Sequence, residues 1–239
     1  MVDSSTSAKE NQDTHIIVKE GLKAAWPICL GYFPIGLAFG VLAQKAGLSP
    51  LEIGLMSLLV FAGSSQFIAV SMLSSGATEL SIVATTFVVN LRHLLMSSSL
   101  AVYLRPVSRA WAALFSYGVT DESFAVNLTR FRNGNWDWRQ AMVVNHTANA
   151  AWIVSSILGA FSGQFIPAGA FGIDYALIAM FLCLLVFQLR GRLYAITAVI
   201  AGVLAVALAV IVPGNGYIVI ASILAATIGV VFHRLQRKT

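Results

Sequence analysis

Residues 193–212 read LYAITAVIAGVLAVALAVIV, a run of twenty residues without a single charged side chain. A helix of that length rises about 30 Å at 1.5 Å per residue, which matches the hydrocarbon core of a bilayer. Proline and glycine follow directly at 213 and 214, where a turn is expected. This stretch predicts a helix that crosses a membrane.

The composition of the whole chain agrees with this stretch. Of the 239 residues 58% are hydrophobic and 10% are charged, and the mean hydropathy is +0.81. Soluble domains carry roughly 25% charged residues, so the composition argues against a soluble enzyme. The net charge of +5 is spread in ones and twos between apolar blocks. Such spacing is typical of membrane-helix flanks and predicts no nucleic-acid partner.

The apolar blocks define the predicted fold class, which is all-α. We expect a polytopic transmembrane helical bundle with 7–8 transmembrane helices, of which helices 1 and 2 are broken. The blocks are residues 24–43, 51–74, 80–104, 108–129, 139–163, 173–189, 193–212 and 215–233. They form one transmembrane domain at 19–235, between a polar N-terminal tail at 1–18 and a basic C-terminal tail at 236–239.

The distribution of Lys and Arg predicts the orientation. With eight crossings, eleven of these residues face the cytoplasm and three, Lys45, Arg105 and Arg109, face outside. This asymmetry favours a cytoplasmic location for both termini. Arg105 and Arg109 fit poorly, which leaves seven crossings or a re-entrant first segment open.

Two blocks contain signals for an interrupted helix. The first block contains Pro27 and Pro34, each of which removes a helix hydrogen bond. The second is interrupted near its centre by Gly63-Ser64-Ser65-Gln66-Phe67. Broken helices often line a transport site, because their free backbone groups need polar partners. Gly36 and Gly40 offer another interpretation for the first block, a close contact between packed helices.

Ionisable side chains in the middle of blocks three and four indicate a functional layer. If the chain turns at Arg105-Pro106, position 92 lies at about the depth of position 119, so Asn90, Arg92, His93, Asp121 and Glu122 share one layer. Such groups are costly in a membrane unless they are paired. One arginine cannot neutralise both acids, so Asp121 or Glu122 is a candidate proton carrier and His93 a possible relay. A structural ion pair between the two helices is the alternative.

Block five carries a polar stripe with helical spacing, formed by Asn145, Asn149 and Trp152. The stripe suits the lining of a cavity. Hydrogen bonds between helices would explain the two asparagines equally well.

Five segments together resemble the AzlC family in order and spacing. They are Gly31-Tyr32-Phe33-Pro34-Ile35-Gly36-Leu37-Ala38-Phe39-Gly40, Gly47-Leu48-Ser49-Pro50, Ala62-Gly63-Ser64-Ser65-Gln66-Phe67, Asn90-Leu91-Arg92-His93-Leu94-Leu95 and Thr120-Asp121-Glu122-Ser123-Phe124-Ala125. The resemblance covers roughly residues 19–235 and is specific in the first five blocks.

The resemblance implies the large subunit of a branched-chain amino acid exporter in the cytoplasmic (inner) membrane of a bacterium. Residues 19–235 would then be a transporter domain. It implies efflux of valine, leucine and isoleucine, driven by the proton gradient, with a small AzlD-like membrane protein as partner. No cofactor, metal or enzymatic activity is expected.

A zwitterionic substrate can be matched to these residues. Its carboxylate needs donors, which Asn90, Arg92 and the segment Ser64-Ser65-Gln66 can supply. Its ammonium needs an acceptor, either an acid or a carbonyl freed near Pro34. An apolar pocket would come from Phe33, Phe67, Phe124 and Trp152. We assign substrate binding to Pro34, Ser64, Ser65, Gln66, Asn90, Arg92, His93 and Asn149, and proton coupling to Asp121 and Glu122.

Three other functions remain open from the sequence. A divalent-cation carrier could use His93, Asp121, Glu122 and His146, although two acids beside an arginine make a poor cage. An intramembrane hydrolase could pair Ser64 or Ser65 with His146. The chain could also be a structural subunit that supports a partner, which itself transports.

Overall fold

The computed structural model describes residues 4–134, 136–165 and 191–211, and positions 175, 178, 179, 182, 185, 186, 189, 220, 221 and 223–230. Its helices are α1 Ser4–Lys45, α2 Pro50–Leu59, α3 Gly63–Ser74, α4 Glu79–Leu100, α5 Arg109–Tyr117, α6 Asp121–Arg132, α7 Trp138–Ser162 and α8 Arg192–Ile211. Short 3-10 turns at Ala101–Leu104 and Gly163–Phe165 continue α4 and α7. The predicted blocks 173–189 and 215–233 lie largely outside the described residues.

The all-α class predicted from the sequence is confirmed. Three segments of the described part are long and apolar enough to cross a membrane, namely Thr14–Lys45, Glu79–Leu104 and Arg192–Ile211. Many apolar side chains on these helices are exposed, including Leu80, Phe87 and Val210. Such surfaces suit contact with lipid, because hydrocarbon chains solvate them without cost.

α1 and α7 lie side by side and run in the same direction. A Cβ atom on Gly21 would meet Val143, and one on Gly40 would lie 2.1 Å from the Ser156 carbonyl. Near the other end of the pair, a Cβ atom on Gly163 would lie 2.8 Å from Gln44 Oε1. The small residues therefore let the two backbones touch, which is the close-contact interpretation of this glycine pattern. We call the two ends of this pair the Trp138 end and the Lys45 end.

The predicted break in helix 1 is wrong. α1 continues through Pro27 and Pro34 and ends only at Lys45. A proline inside a helix frees the carbonyl four residues before it, here those of Lys23 and Leu30. Close packing against α7 outweighs this loss, since the contacts extend along α1 on both sides of the prolines.

The fourth apolar block is not one crossing, and this corrects the prediction of a single helix at 108–129. It contains α5 and α6, which are separated at residues 118–120. Tyr103, just before α5, stacks on Phe131 at the end of α6 with ring centroids 4.6 Å apart. Trp111 at the start of α5 likewise approaches Trp138 at 6.1 Å. The block therefore enters and leaves at the Trp138 end as a re-entrant hairpin.

The second apolar block also folds back, which corrects the prediction of a crossing at 51–74. α2 begins at Pro50, shortly after Lys45, and the chain breaks at residues 60–62 before α3. α4 follows from Glu79 and reaches the Trp138 end at Leu104, so α3 must have returned to the Lys45 end. The break lies slightly before the predicted interruption at 63–67.

The two hairpins enter from opposite ends and meet in the middle of the molecule. Their helices have 9 to 12 residues, or about 14–18 Å at 1.5 Å per residue, roughly half of the hydrocarbon thickness. The unit formed by α1, α2 and α3 therefore runs in the opposite direction to the unit formed by α4, α5 and α6. Such inverted units commonly enclose a transport site at their interface.

Candidate transport site between the hairpin tips

A cavity lies where the two hairpin tips meet α1, α4 and α7. Its lining residues are Tyr32, Ile35, Phe61, Ala62, Gly63, Ser64, Arg92, His93, Thr120, Asp121, Glu122 and Trp152. Arg92 is about halfway along Glu79–Leu104, and Trp152 is about halfway between Trp138 and Phe165. The cavity is therefore at mid-depth.

An ion pair joins α4 to the tip of the second hairpin. Arg92 Nη1 lies 2.7 Å from Asp121 Oδ2, and the two side chains are 30% and 25% exposed. Arg92 Nη2 also donates a hydrogen bond to the Ser64 hydroxyl at the tip of the first hairpin. The predicted layer therefore brings Arg92 and Asp121 together, and Arg92 bridges both tips.

Two residues of the cavity lining carry buried polar atoms without partners. Among the described residues, the buried side-chain atoms without a hydrogen-bond partner are Asn90 Oδ1, Arg92 Nε, His93 Nε2 and His146 Nε2. Arg92 and His93 line the cavity, whereas Asn90, on the same turn of α4, and His146 are not among its lining residues. The His93 ring also hydrogen-bonds to the Val119 backbone at the second tip. Since buried polar groups are normally paired, this lining is suited to a polar ligand.

The second acid of the pair has a different partner. Glu122 Oε2 lies 2.5 Å from the Tyr32 hydroxyl, which lies 2.8 Å from the Thr120 hydroxyl. Because a hydroxyl carries one hydrogen, Tyr32 donates to the carboxylate and accepts from Thr120. Among the described side chains, Asp121 thus has a cationic partner and Glu122 has a neutral one.

The tip of the first hairpin contains a strained residue. Phe61 has φ +38°, the one positive φ outside glycine among the described residues. A bulky side chain rarely adopts this conformation, which is costly and is often found at functional sites. Its ring is 2% exposed and packs edge-on against Tyr32.

α7 holds both tips in place through side-chain hydrogen bonds. Asn145 Nδ2 donates to the Phe115 carbonyl at 3.1 Å, at the end of α5. Asn149 donates to the Tyr117 hydroxyl at 3.3 Å, and that hydroxyl donates to the Leu58 carbonyl at the end of α2. The asparagine stripe therefore makes the interhelical hydrogen bonds that the sequence allowed.

Some predicted site residues lie around the cavity rather than in it. Gln66 is fully buried and bonded to Ser57 at 3.2 Å and to Trp152 at 3.0 Å. Ser65 donates to the Ala62 carbonyl at 2.9 Å, and Pro34 is exposed. Gln66 and Ser65 therefore support the first tip, because their polar atoms are already hydrogen-bonded within the fold. Pro34 faces outward.

The predicted apolar pocket also needs correction. Phe33 is 45% exposed, Phe67 packs against Phe39, and Phe124 joins a separate core cluster. Trp152 does line the cavity. The apolar walls that sequence reasoning missed are Ile35 and Phe61, and the missed polar groups are Tyr32 and Thr120. Tyr32 carried one signal, a hydroxyl in the middle of an apolar block.

The cavity is small in this conformation. Its volume is about 40 Å³, enough for a few water molecules but far below the roughly 300–1,000 Å³ of ligand pockets. A larger ligand can enter only if the tips move apart. Across the described residues, no group of three or more His, Cys, Asp or Glu is placed to hold a metal ion.

Comparisons with known proteins support a membrane role. A family model described as AzlC protein matches residues 27–166. The inner membrane protein YgaZ of Escherichia coli is 32% identical over 78% of this chain and 79% of its own length. The branched-chain amino acid transport protein AzlC of Bacillus subtilis is 28% identical over 81% and 76%. A membrane protein of Archaeoglobus fulgidus is 32% identical over 73% and 77%. No solved structure matches the chain.

Proposed function

The chain belongs to the AzlC family of membrane proteins, and from this premise we propose that it exports branched-chain amino acids through the cavity between the two hairpin tips. The related Bacillus subtilis protein is a branched-chain amino acid transport protein. The observation that carries the proposal is the Arg92–Asp121 ion pair at mid-depth, with unpaired polar atoms beside it.

The arginine is the binding group for the substrate carboxylate. Arg92 uses Nη1 and Nη2 for Asp121 and Ser64, so the buried Nε is available. The N-terminus of α3 has no side-chain cap and contributes Gly63 and Ser64 to the cavity wall. Helix N-termini attract anions through their free N–H groups. A carboxylate therefore fits between Arg92 and this helix end.

The remaining parts of an amino acid also have matching groups. The ammonium is attracted by Glu122, which hydrogen-bonds to the neutral Tyr32 hydroxyl. An aliphatic side chain contacts Ile35, Phe61 and Trp152, the apolar part of the lining. Leucine, isoleucine and valine share these three features.

Movement of the two hairpins gives alternating access. α2–α3 closes the path to the Lys45 end, and α5–α6 closes the path to the Trp138 end. In this conformation the cavity, at about 40 Å³, is too small for an amino acid, and movement of either hairpin exposes the same layer. Such gating around a fixed central site is common in secondary transporters.

Proton coupling is assigned to Glu122. When Asp121 is ionised and paired with Arg92, their charges balance, and a proton on Glu122 keeps the layer neutral. When Glu122 releases that proton, the layer gains a negative charge that attracts the substrate ammonium. Proton and substrate therefore compete for one carboxylate, which couples their opposite movement.

The charge distribution assigns the Trp138 end to the cytoplasm. In residues 14–165 the Lys and Arg at this end are Lys19, Lys23, Arg105, Arg109, Arg130, Arg132 and Arg139, and the Lys45 end has Lys45. The positive-inside rule places the richer end in the cytoplasm. Because α5–α6 enters and leaves at the Trp138 end, Arg105 and Arg109 lie at the same end as Arg130 and Arg132 and agree with the positive-inside rule. We assign the protein to the cytoplasmic membrane with its N-terminus inside.

The partner and the substrate are tested in one experiment. Proteoliposomes are prepared with the chain alone, with a small AzlD-like membrane protein alone, and with both. We expect efflux of labelled valine from the combined preparation, and inhibition by unlabelled leucine and isoleucine but not by lysine. Equal efflux from the small protein alone would assign transport to the partner. Absence of efflux from all preparations would contradict the proposed function.

Two alternatives have less support. A divalent-cation carrier needs a ligand cluster, and the described residues place none. For a hydrolase, Ser64 accepts from Arg92 and Ser65 is bonded to a backbone carbonyl. The Nδ1 atom of His146 is bonded to the Met142 carbonyl at 3.0 Å. Neither serine is therefore hydrogen-bonded to this histidine.

A further inference from the structure

A second cavity lies at the Trp138 end, away from the transport layer. Its volume is about 550 Å³, and it is lined by Tyr103, Phe131, Trp136, Asp137, Trp138 and Gln140. It is an open depression rather than an enclosed pocket, which suits a headgroup whose acyl chains stay in the bilayer. Stacking between Tyr103 and Phe131 joins the end of α4 to the end of α6 along one wall.

Two arginines stack on tryptophans of this lining, although neither arginine is itself a lining residue. The Arg130 guanidinium lies 4.6 Å from the ring centre of Trp136, and that of Arg139 lies 5.6 Å from the ring of Trp138. The acid in the lining, Asp137, is the N-cap of α7 and accepts from the Arg139 backbone N–H at 3.1 Å. The guanidinium groups, held over aromatic rings, have no ion-pair partner among the described residues, so their N–H groups can bind an anion.

We propose that this cavity binds the headgroup of an anionic phospholipid. Arg130 and Arg139 bind the phosphate, and the tryptophans lie at the depth where such rings meet lipid headgroups. Exposed apolar side chains adjoin the site, including Val102 at 55% and Trp111 at 51%. These surfaces suit acyl chains, which a free phosphate ion lacks.

A buried hydrogen-bond path connects this site to the second hairpin tip. Trp136 Nε1 donates to Asn127 Oδ1 at 3.1 Å, and Asn127 Nδ2 donates to Asn145 Oδ1 at 2.9 Å. Asn145 donates in turn to the Phe115 carbonyl next to the tip. Both asparagines are fully buried. A headgroup bound against Trp136 therefore lies at the start of a hydrogen-bond path that holds the second hairpin tip.

Tryptophan fluorescence tests the site directly. The full-length protein is placed in vesicles of phosphatidylcholine that contain a small fraction of brominated phosphatidylglycerol or, in parallel, brominated phosphatidylcholine. We expect stronger quenching by the anionic lipid. The Arg130→Gln/Arg139→Gln variant should bind the anionic lipid about 30-fold more weakly, from the loss of two cationic contacts near the membrane surface. Arg192→Gln, a change of the same type outside the two arginine–tryptophan pairs, should not alter the quenching.

Further variants separate the explanations. Arg130→Lys/Arg139→Lys keeps the charge and should retain most of the binding, which distinguishes charge loss from a damaged fold. Trp136→Phe should reduce the excess quenching, because one reporter is lost at the site. Equal quenching by both lipids in the wild type would overturn the proposal. Displacement of the excess by millimolar inorganic phosphate would also overturn it, since the ligand would then be the free ion.

Discussion

Replacing Arg92 with alanine is expected to lower the rate of labelled valine efflux about 100-fold. The side chain pairs with Asp121 at 2.7 Å and bonds to Ser64, so its loss leaves an uncompensated acid at mid-depth. Removing one partner of a fully buried ion pair costs about 3–5 kcal/mol, and this partly buried pair, 30% and 25% exposed, should lose a part of that. In the proposed mechanism the substrate carboxylate also loses its binding group. The measurement is initial efflux from proteoliposomes that contain equal amounts of folded protein.

Two further variants distinguish a transport role from a structural one. Arg92→Ala/Asp121→Ala removes both charges, so it should recover the thermal stability lost in the single variant without recovering transport. Arg105→Ala, an exposed arginine at the Trp138 end, should leave the efflux rate close to wild type. If the double variant transported valine at the wild-type rate, the ion pair would be a structural lock and the site assignment would be wrong.

Replacing Glu122 with glutamine is expected to uncouple transport from protons. Glutamine has a similar shape and can still accept a hydrogen bond from Tyr32, so the fold around the tip should persist. With one proton exchanged per substrate, a pH gradient of one unit should sustain about a tenfold substrate gradient, because one unit corresponds to about 1.36 kcal/mol. We expect this gradient in the wild type and none in Glu122→Gln.

The uncoupled variant should still catalyse exchange. Labelled valine should equilibrate with unlabelled valine across the membrane at a reduced but measurable rate, independent of pH, because the amide oxygen of glutamine can still accept a hydrogen bond from the substrate ammonium. Glu79→Gln is the matched control, because Glu79 also lies in the first turn of a helix but is exposed. A Glu122→Gln protein that still built up the tenfold gradient would move proton coupling to another group.

The transport layer could be predicted from the sequence because it depends on depth alone. Counting outward from the turn at Arg105-Pro106 brings position 119 to the depth of Arg92. The structure places Asp121, two residues later, in contact with that arginine. The count holds although the fourth block is broken, since α5 descends from the turn by the same rise per residue as an unbroken helix.

The re-entrant paths could not be predicted from hydropathy. A block of 22 to 24 apolar residues has the same composition whether it crosses the bilayer or folds back at its centre. Local signals were present, however. In the fourth block, Thr120 and Ser123 form a capping box at the start of α6, whereas α3 in the second block begins without a side-chain cap. A helix start in the middle of an apolar block is the pattern of a broken segment.

The prolines of α1 indicated a break that the structure lacks. The sequence shows which helix hydrogen bonds Pro27 and Pro34 remove, but it does not show which tertiary contacts compensate for their loss. Likewise, Gln66 and Asn149 were assigned to the substrate because polar groups in an apolar block need partners. In the structure both side chains form hydrogen bonds with neighbouring helices, Gln66 with Trp152 and Asn149 with Tyr117. Only the arrangement of the helices distinguishes these cases.

The position of the two loops around α5–α6 decides whether the fourth block is a re-entrant hairpin. In a background without Cys29 and Cys183, single cysteines are introduced as Ser75→Cys, Ser108→Cys and Asn133→Cys. A membrane-impermeant maleimide is then applied to intact cells and to inverted vesicles. We expect Ser108→Cys and Asn133→Cys to react from the same side, in inverted vesicles, and Ser75→Cys to react in intact cells. Labelling of Ser108→Cys and Asn133→Cys from opposite sides would mean that the fourth block crosses the membrane, and would contradict the two-hairpin site.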